Sequence, residues 1–205
     1  MEYKNKFIDY QGFFKKGTDL LKTINYKGTL YRTALFWEPF LDFKKDDNIK
    51  YLEIGAFHGG NAISFALLHK NSEIHCVDPW LDYNDYPEYK NEQDNNYKIF
   101  LQNVVLSNQM DKFYIHRDFS FNKLNTFSKD YFDIIYIDGN HEPDYILEDA
   151  VLSFRLLKKN GYMIFDDYGW GDVHIGVDNF LKTYKKRIQF IDCVNCQVII
   201  KKISD

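Results

Sequence analysis

From residue 50 onward, short apolar runs of β-forming residues alternate with longer stretches whose apolar side chains recur at helical spacing. That alternation predicts an α/β fold in which crossover helices cover a parallel sheet. Strands are expected at 50–55, 73–77, 112–116, 132–137 and 162–165, and helices at 61–69, 96–107, 121–127, 145–158 and 176–186. Two further runs, 188–193 and 197–202, flank a turn at Val194-Asn195 and read as an antiparallel closing pair. The second strand stops at Asp78-Pro79, because proline has no amide to give to the ladder. The helix over 145–158 is expected to end in its basic residues ahead of Gly161. Residues 1–48 do not follow the alternation. They are read as a helical cap of two or three short helices, including 19–24 and 31–43, belonging to the same domain as 49–205.

At 205 residues the chain suits one α/β domain with a short extension and is too short for two full domains. Its 26 basic and 30 acidic side chains give a net charge of -4 with no clustered basic stripe, which argues against a nucleic-acid partner and for a small molecule. No run approaches the roughly 20 apolar residues of a membrane span, and the first six residues lack the apolar core of a secretory signal. A cytoplasmic protein without a membrane partner is expected. Three cysteines make no disulfide framework, so reduced thiols are the default. Cys193-Val194-Asn195-Cys196 has C-x-x-C spacing but no second pair to complete a four-ligand zinc site, and a hairpin is the better account. Whether the chain forms a homo-oligomer stays open.

In an open parallel sheet, ligands bind beyond the carboxyl ends of the strands where the strand order reverses. Glu53, Gly55, Asp78, Asp118, Asp138, Asp166 and Asp167 all fall at or just after expected strand ends. The loop Gly55-Ala56-Phe57-His58-Gly59-Gly60 is close to a dinucleotide fingerprint, yet Phe57 stands where that motif needs glycine to admit a pyrophosphate. A nucleoside ligand without a pyrophosphate tolerates the bulk, and S-adenosylmethionine is one. Asp78, 23 residues beyond Gly55, is placed to meet ribose hydroxyls. The plainer alternative is that the glycines serve only the turn and Asp78 only caps the next segment.

On these residues, the stretch from about 50 to 200 resembles a class I S-adenosylmethionine-dependent methyltransferase. The loop from Glu53 to Gly59 resembles that family's first motif, Asp78 the acidic residue of its second, and Arg117-Asp118-Phe119-Ser120 the segment that holds the adenine. The resemblance implies a Rossmann-like, seven-stranded, mostly parallel sheet with helices on both faces and a C-terminal antiparallel pair. It also implies cofactor contacts from Glu53, Gly55, Ala56, Phe57, Gly59, Asp78, Asp118, Phe119, Ser120 and Asp138, with Asp118 on the adenine amino group and Glu53 near the methionine ammonium.

A narrower resemblance lies in Asp138-Gly139-Asn140-His141 and, 28 residues after Asp138, Asp166-Asp167-Tyr168. This is similar to the metal-dependent O-methyltransferases that modify sugars on macrolides and related natural products. It implies Mg²⁺ held by Asp138, Asp166 and Asp167, with His141 as the base beside Asp138. The chemistry calls for such groups: an aliphatic hydroxyl attacks a sulfonium carbon poorly unless its proton leaves, an ion acidifies it, and imidazole accepts a proton near neutrality. The bland reading is a capping Asp138, a solvated Asp166-Asp167 turn and a surface His141. His174 is a second candidate base, and His58 either lies against the cofactor or faces solvent. Trp37 and Tyr31, with the aromatic loop 80–95, are candidate acceptor contacts. The function expected is a Mg²⁺-assisted O-methyltransferase acting on a small-molecule hydroxyl, a sugar or sugar nucleotide first. Alternatives are a metal-independent methyltransferase and a cofactor-binding protein without catalysis.

Overall fold

In the computed structural model, which describes residues 19–28, 37–44, 46–82 and 90–205, seven strands form one sheet. They are β1 (Ile49–Ile54), β2 (Ser72–Val77), β3 (Phe113–His116), β4 (Phe132–Ile137), β5 (Leu157–Phe165), β6 (Ile188–Val194) and β7 (Gln197–Lys202). The order across the sheet is β3-β2-β1-β4-β5-β7-β6. Strands β1 to β5 pair in parallel, and β7 runs antiparallel to both β5 and β6. The strand order reverses between β1 and β4, which places the ligand crevice of such sheets above their carboxyl ends.

The helices are α1 (Gly60–Leu68), α2 (Gln93–Leu106), the short α3 (Ser120–Lys123), α4 (Pro143–Leu156) and α5 (Val173–Tyr184). Alternation along the strands sends side chains into two cores. Tyr51, Ile74 and Tyr136 face one side with Phe65 of α1 and Phe100 of α2. Leu52, Ile135 and Met163 face the other with Ile146, Ala150 and Phe154 of α4 and Phe180 of α5. The spacing of four between those α4 residues makes a single buried stripe, and Pro143 opens the helix at its first turn, where a missing amide is tolerated.

Most expected boundaries hold within a few residues, with three corrections. The helix expected to reach residue 158 ends at Leu156, because Leu157 turns extended (φ -75°, ψ 128°) and enters β5 directly. Gly161 therefore lies inside a strand rather than capping a helix; β4 and β5 shift register between Phe132 and Ile134, and this irregularity hides the strand's first half from an alternation pattern. The closing turn is centred on Asn195-Cys196, one residue beyond Val194-Asn195; both central residues have positive φ, 46° and 62°, as a hairpin turn of the primed type requires.

In the N-terminal part, residues 19–23 are helical, as expected. Of the helix expected over 31–43, residues 31–36 lie outside those described, while Glu38–Phe40 is a single 3-10 turn and 41–44 are not helical. Trp37 is 1% exposed and packs on Tyr51, Phe65 and Tyr136, so it belongs to the core and is withdrawn as an acceptor contact. Tyr31 and residues 83–89 of the aromatic loop lie outside the described residues. Among the described residues, no helix is long and apolar enough to cross a membrane.

Candidate active site

The loop between β1 and α1 takes its shape from two contacts. Gly55 has φ +84°, and a Cβ there would stand 1.8 Å from the carbonyl oxygen of Asp138, so the ends of β1 and β4 meet with no room for a side chain. Phe57 also adopts positive φ, 44°, at the position where a dinucleotide motif would use glycine. It is held there by Asp78, whose Oδ2 accepts from the Phe57 amide at 2.9 Å while Oδ1 accepts from the Trp80 amide at 2.8 Å. Trp80 returns a bond from its indole Nε1 to the Phe57 carbonyl at 2.9 Å. Burial pushes the Asp78 carboxyl up to about 6 against these amide bonds.

Above this loop opens a cavity of about 540 Å³, lined by Glu53, Gly55, Ala56, Phe57, Asp138, Asp166 and Asp167 among the expected site residues. A cavity of this size suits a nucleoside-sized ligand. Glu53 is 2% exposed and accepts from the Tyr51 hydroxyl at 2.7 Å. Burial is the main cause that pushes its carboxyl up to about 8, with Asp78 and Asp166 adding repulsion. No lysine or arginine is among the described residues lining the cavity. An excess of carboxylates without a basic partner suits a cationic guest, so the donor set fits both a sulfonium cofactor and a divalent ion.

At the far side, Asp138, His141 and Asp167 each offer a ligand atom within 4.8 Å of the others. His141 Nε2 lies 3.3 Å from Asp167 Oδ2 and 3.9 Å from Asp138 Oδ1, and its ring meets Trp170 edge-on at 4.6 Å between centroids. Asp166 behaves differently from its neighbour. Its Oδ2 accepts from the Tyr136 hydroxyl at 2.6 Å and its Oδ1 from the Asp167 amide at 2.8 Å, while Gln197 Nε2 donates to Tyr136 at 2.8 Å. Burial and the adjacent Asp167 raise its pKa. Among the described residues, Asp138, His141 and Asp167 form the convergent donor set, while Asp166, of the expected trio, lines the cavity with its Oδ2 on Tyr136.

Several expected contacts sit outside the cavity lining. Gly59 is the N-cap of α1, in left-handed conformation. Asp78 accepts from the Phe57 amide through one oxygen and from the Trp80 amide through the other. Asp118 Oδ1 accepts from the Phe119 amide at 2.8 Å and from Asn122 Nδ2 at 3.2 Å, Phe119 stacks on Phe121, and Ser120 begins α3. His58 lines the cavity, 6% exposed, with Nε2 3.0 Å from Asn96 Oδ1, so it does not face solvent. His174 is exposed and its Nδ1 bonds the Gly171 carbonyl at 3.2 Å. Cavity residues not expected at the site from the sequence are Tyr26, Asn61, Gly169, Trp170 and Cys196. Only the long-range fold brings them to the cavity.

The family model described as a methyltransferase domain matches residues 52–168, more than half of the chain. The chain belongs to this methyltransferase family. Its seven-stranded sheet has the fold of the class I S-adenosylmethionine-dependent methyltransferases. A curated relative, uncharacterized protein R132 of Acanthamoeba polyphaga mimivirus, is 33% identical over 129 residues, 62% of this chain and 54% of the relative. The chain thus spans about half the length of the curated relative it matches. Among solved structures, a candidate rRNA methylase of Clostridium thermocellum superposes with a TM-score of 0.64 at 18% identity, over 85% of this methyltransferase chain and 98% of that one. A candidate S-adenosyl-L-methionine-dependent methyltransferase of Methanococcus maripaludis gives 0.61 at 16% identity, over 100% and 97%. MycE, a methyltransferase of the mycinamycin biosynthetic pathway solved with Mg and SAH, gives 0.63 at 11% identity, over 92% and 55%. At these identities the structural likenesses establish the fold.

Proposed function

We propose that this methyltransferase moves the methyl group of S-adenosylmethionine to a hydroxyl of a small molecule, a sugar or sugar nucleotide, with a divalent ion such as Mg²⁺ assisting. The observation that carries the reading is the convergence of Asp138, His141 and Asp167 within 4.8 Å, with Asp138 and Asp167 lining the same cavity as Glu53 and the glycine loop. When bound, the cofactor supplies an electrophilic methyl on a sulfonium, and the ion acidifies and orients the acceptor hydroxyl. Asp138 and Asp167 would hold the ion. His141 would take the acceptor hydroxyl's proton at Nε2, and the overall products would be a methyl ether and S-adenosylhomocysteine. Asp166 supports Asp167 through its amide and is fixed by Tyr136. Gly55, Ala56 and Phe57, which line the cavity, would pack against the cofactor.

The 3.3 Å approach of His141 Nε2 to Asp167 favours a second reading, in which His141 is a third ligand and Asp138 takes the proton. An imidazole nitrogen would widen the metal choice toward first-row transition ions. Turnover with a panel of sugar nucleotides, detected as S-adenosylhomocysteine release, tests the proposal. Excess chelator should stop it while calorimetry still registers cofactor binding. Full activity in chelator would refute the metal's part. A His141→Gln variant that binds Mn²⁺ as tightly as the parent but loses the acidic limb of the pH–rate profile supports the base; weakened Mn²⁺ binding supports the ligand.

A further inference from the structure

Part of the cavity wall comes from well before residue 52, where the family match begins. Tyr26 lines the cavity with Glu53, Gly60 and Asn61. The segment carrying it is fastened to the cofactor loop. Lys27 donates its amide to Asn103 Oδ1 at 2.7 Å and accepts at its carbonyl from Asn103 Nδ2 at 2.9 Å. The same Nδ2 donates to the His58 carbonyl at 2.9 Å, so one fully buried side chain of α2 joins residues 27 and 58. Gly28, at φ +88°, lies so close on the His58 ring that a Cβ would stand 2.4 Å from Nδ1. These contacts fix where Tyr26 sits.

The groups around it are those that a zwitterion needs. A Cβ on Gly60 would lie 3.4 Å from the Tyr26 hydroxyl, which therefore stands over the first turn of α1. Backbone N–H groups of a first turn have no intrahelical partner, and no side chain caps this one. Beside these donors are two acceptors: the buried Glu53 carboxyl, and Asn61 Oδ1, which is buried without a hydrogen-bond partner on a residue only 8% exposed. The donors suit a carboxylate and the acceptors an ammonium.

We infer that Tyr26 is a cofactor-binding residue, closing the cavity over the start of α1 and donating its hydroxyl to the carboxylate of an α-amino acid group, the tail of S-adenosylmethionine. This rests on the proposed reading that the cavity holds that cofactor. The test is calorimetric titration of the full chain and of Tyr26→Phe with two probes: S-adenosylhomocysteine, and 5′-methylthioadenosine, which keeps the nucleoside and sulfur without the amino-acid tail. Tyr26→Phe keeps the ring and its packing, and a matching thermal melt checks the fold. The expected result is about a tenfold weaker affinity for S-adenosylhomocysteine, the scale of one lost hydrogen bond to a charged group, with 5′-methylthioadenosine unchanged. Equal weakening of both probes, or no change in either, overturns the inference. A parent chain that binds neither probe overturns the cofactor reading itself, and the role of Tyr26 with it.

Discussion

The Asp138 carbonyl occupies the space that a Gly55 side chain would need, with a hypothetical Cβ only 1.8 Å from the oxygen. The crevice between β1 and β4 depends on this close approach. Gly55→Ala adds that clash with backbone to a left-handed φ, and should destabilise the fold by roughly 2–4 kcal/mol while abolishing cofactor binding. Urea unfolding and calorimetry with S-adenosylhomocysteine check both; a variant of parental stability would show that the loop can move aside.

Asp166 and Asp167 are neighbours with opposite surroundings, and their amide variants should separate. Asp167→Asn should weaken Mn²⁺ binding by more than about tenfold, because it removes one of two carboxylates from the convergent set. Asp166→Asn should leave most metal affinity in place and lower stability by about 1–3 kcal/mol. An amide cannot accept both from Tyr136 and from the Asp167 N–H without turning its own donor against one of them. Metal titration by electron paramagnetic resonance and denaturant melts read the two effects separately.

Stability should fall as pH rises from about 4 to about 8. Burial pushes the carboxyl of Asp149, 3% exposed, up to about 7, with a hydrogen bond from Ser120 opposing. The folded state therefore holds a proton that the unfolded chain, with its carboxyl near 4, has already lost. That contribution is complete below about pH 4 and disappears as pH rises through 7; Glu53, raised to about 8, acts with the same sign. Asp149→Asn should thus shallow the fall in urea midpoint between pH 5 and 8 without removing it. At the acid end, burial, with Lys123 and His75 nearby, lowers His116 to about 4, so its contribution is present above 6.5 and is lost as pH falls toward 4.

Trp170 is 52% exposed at the cavity mouth, whereas Trp37 and Trp80 are each 1% exposed. Iodide quenching of tryptophan emission should therefore report almost wholly on Trp170. Trp170→Ala should raise the KM of a sugar acceptor by about tenfold through lost stacking, with the affinity for S-adenosylhomocysteine unchanged. An unaltered KM would place the acceptor elsewhere.

The alternation of apolar runs, the carboxylates at strand ends, the Gly55–Gly60 loop and the antiparallel closing pair were legible in the sequence, because hydrophobic period and turn chemistry are local properties. The β5 boundary was not, since a register shift opposite Phe132 breaks the period that marks a strand. The site divides the same way. That Asp138, His141 and Asp167 would come near one another follows from their places after β4 and β5, but a one-residue step decides which of two adjacent cavity aspartates meets His141 and which bonds Tyr136. Asp78, Trp37 and Tyr26 show the larger limit. Their roles hang on the Phe57 amide, the Tyr51 and Phe65 rings and, through Lys27, the Asn103 side chain, partners at least 14 residues away along the chain. Sequence by itself determined the sheet, its crevice and the methyltransferase family. Tertiary structure alone decided which side chains meet, because burial and hydrogen bonding between distant segments choose each orientation.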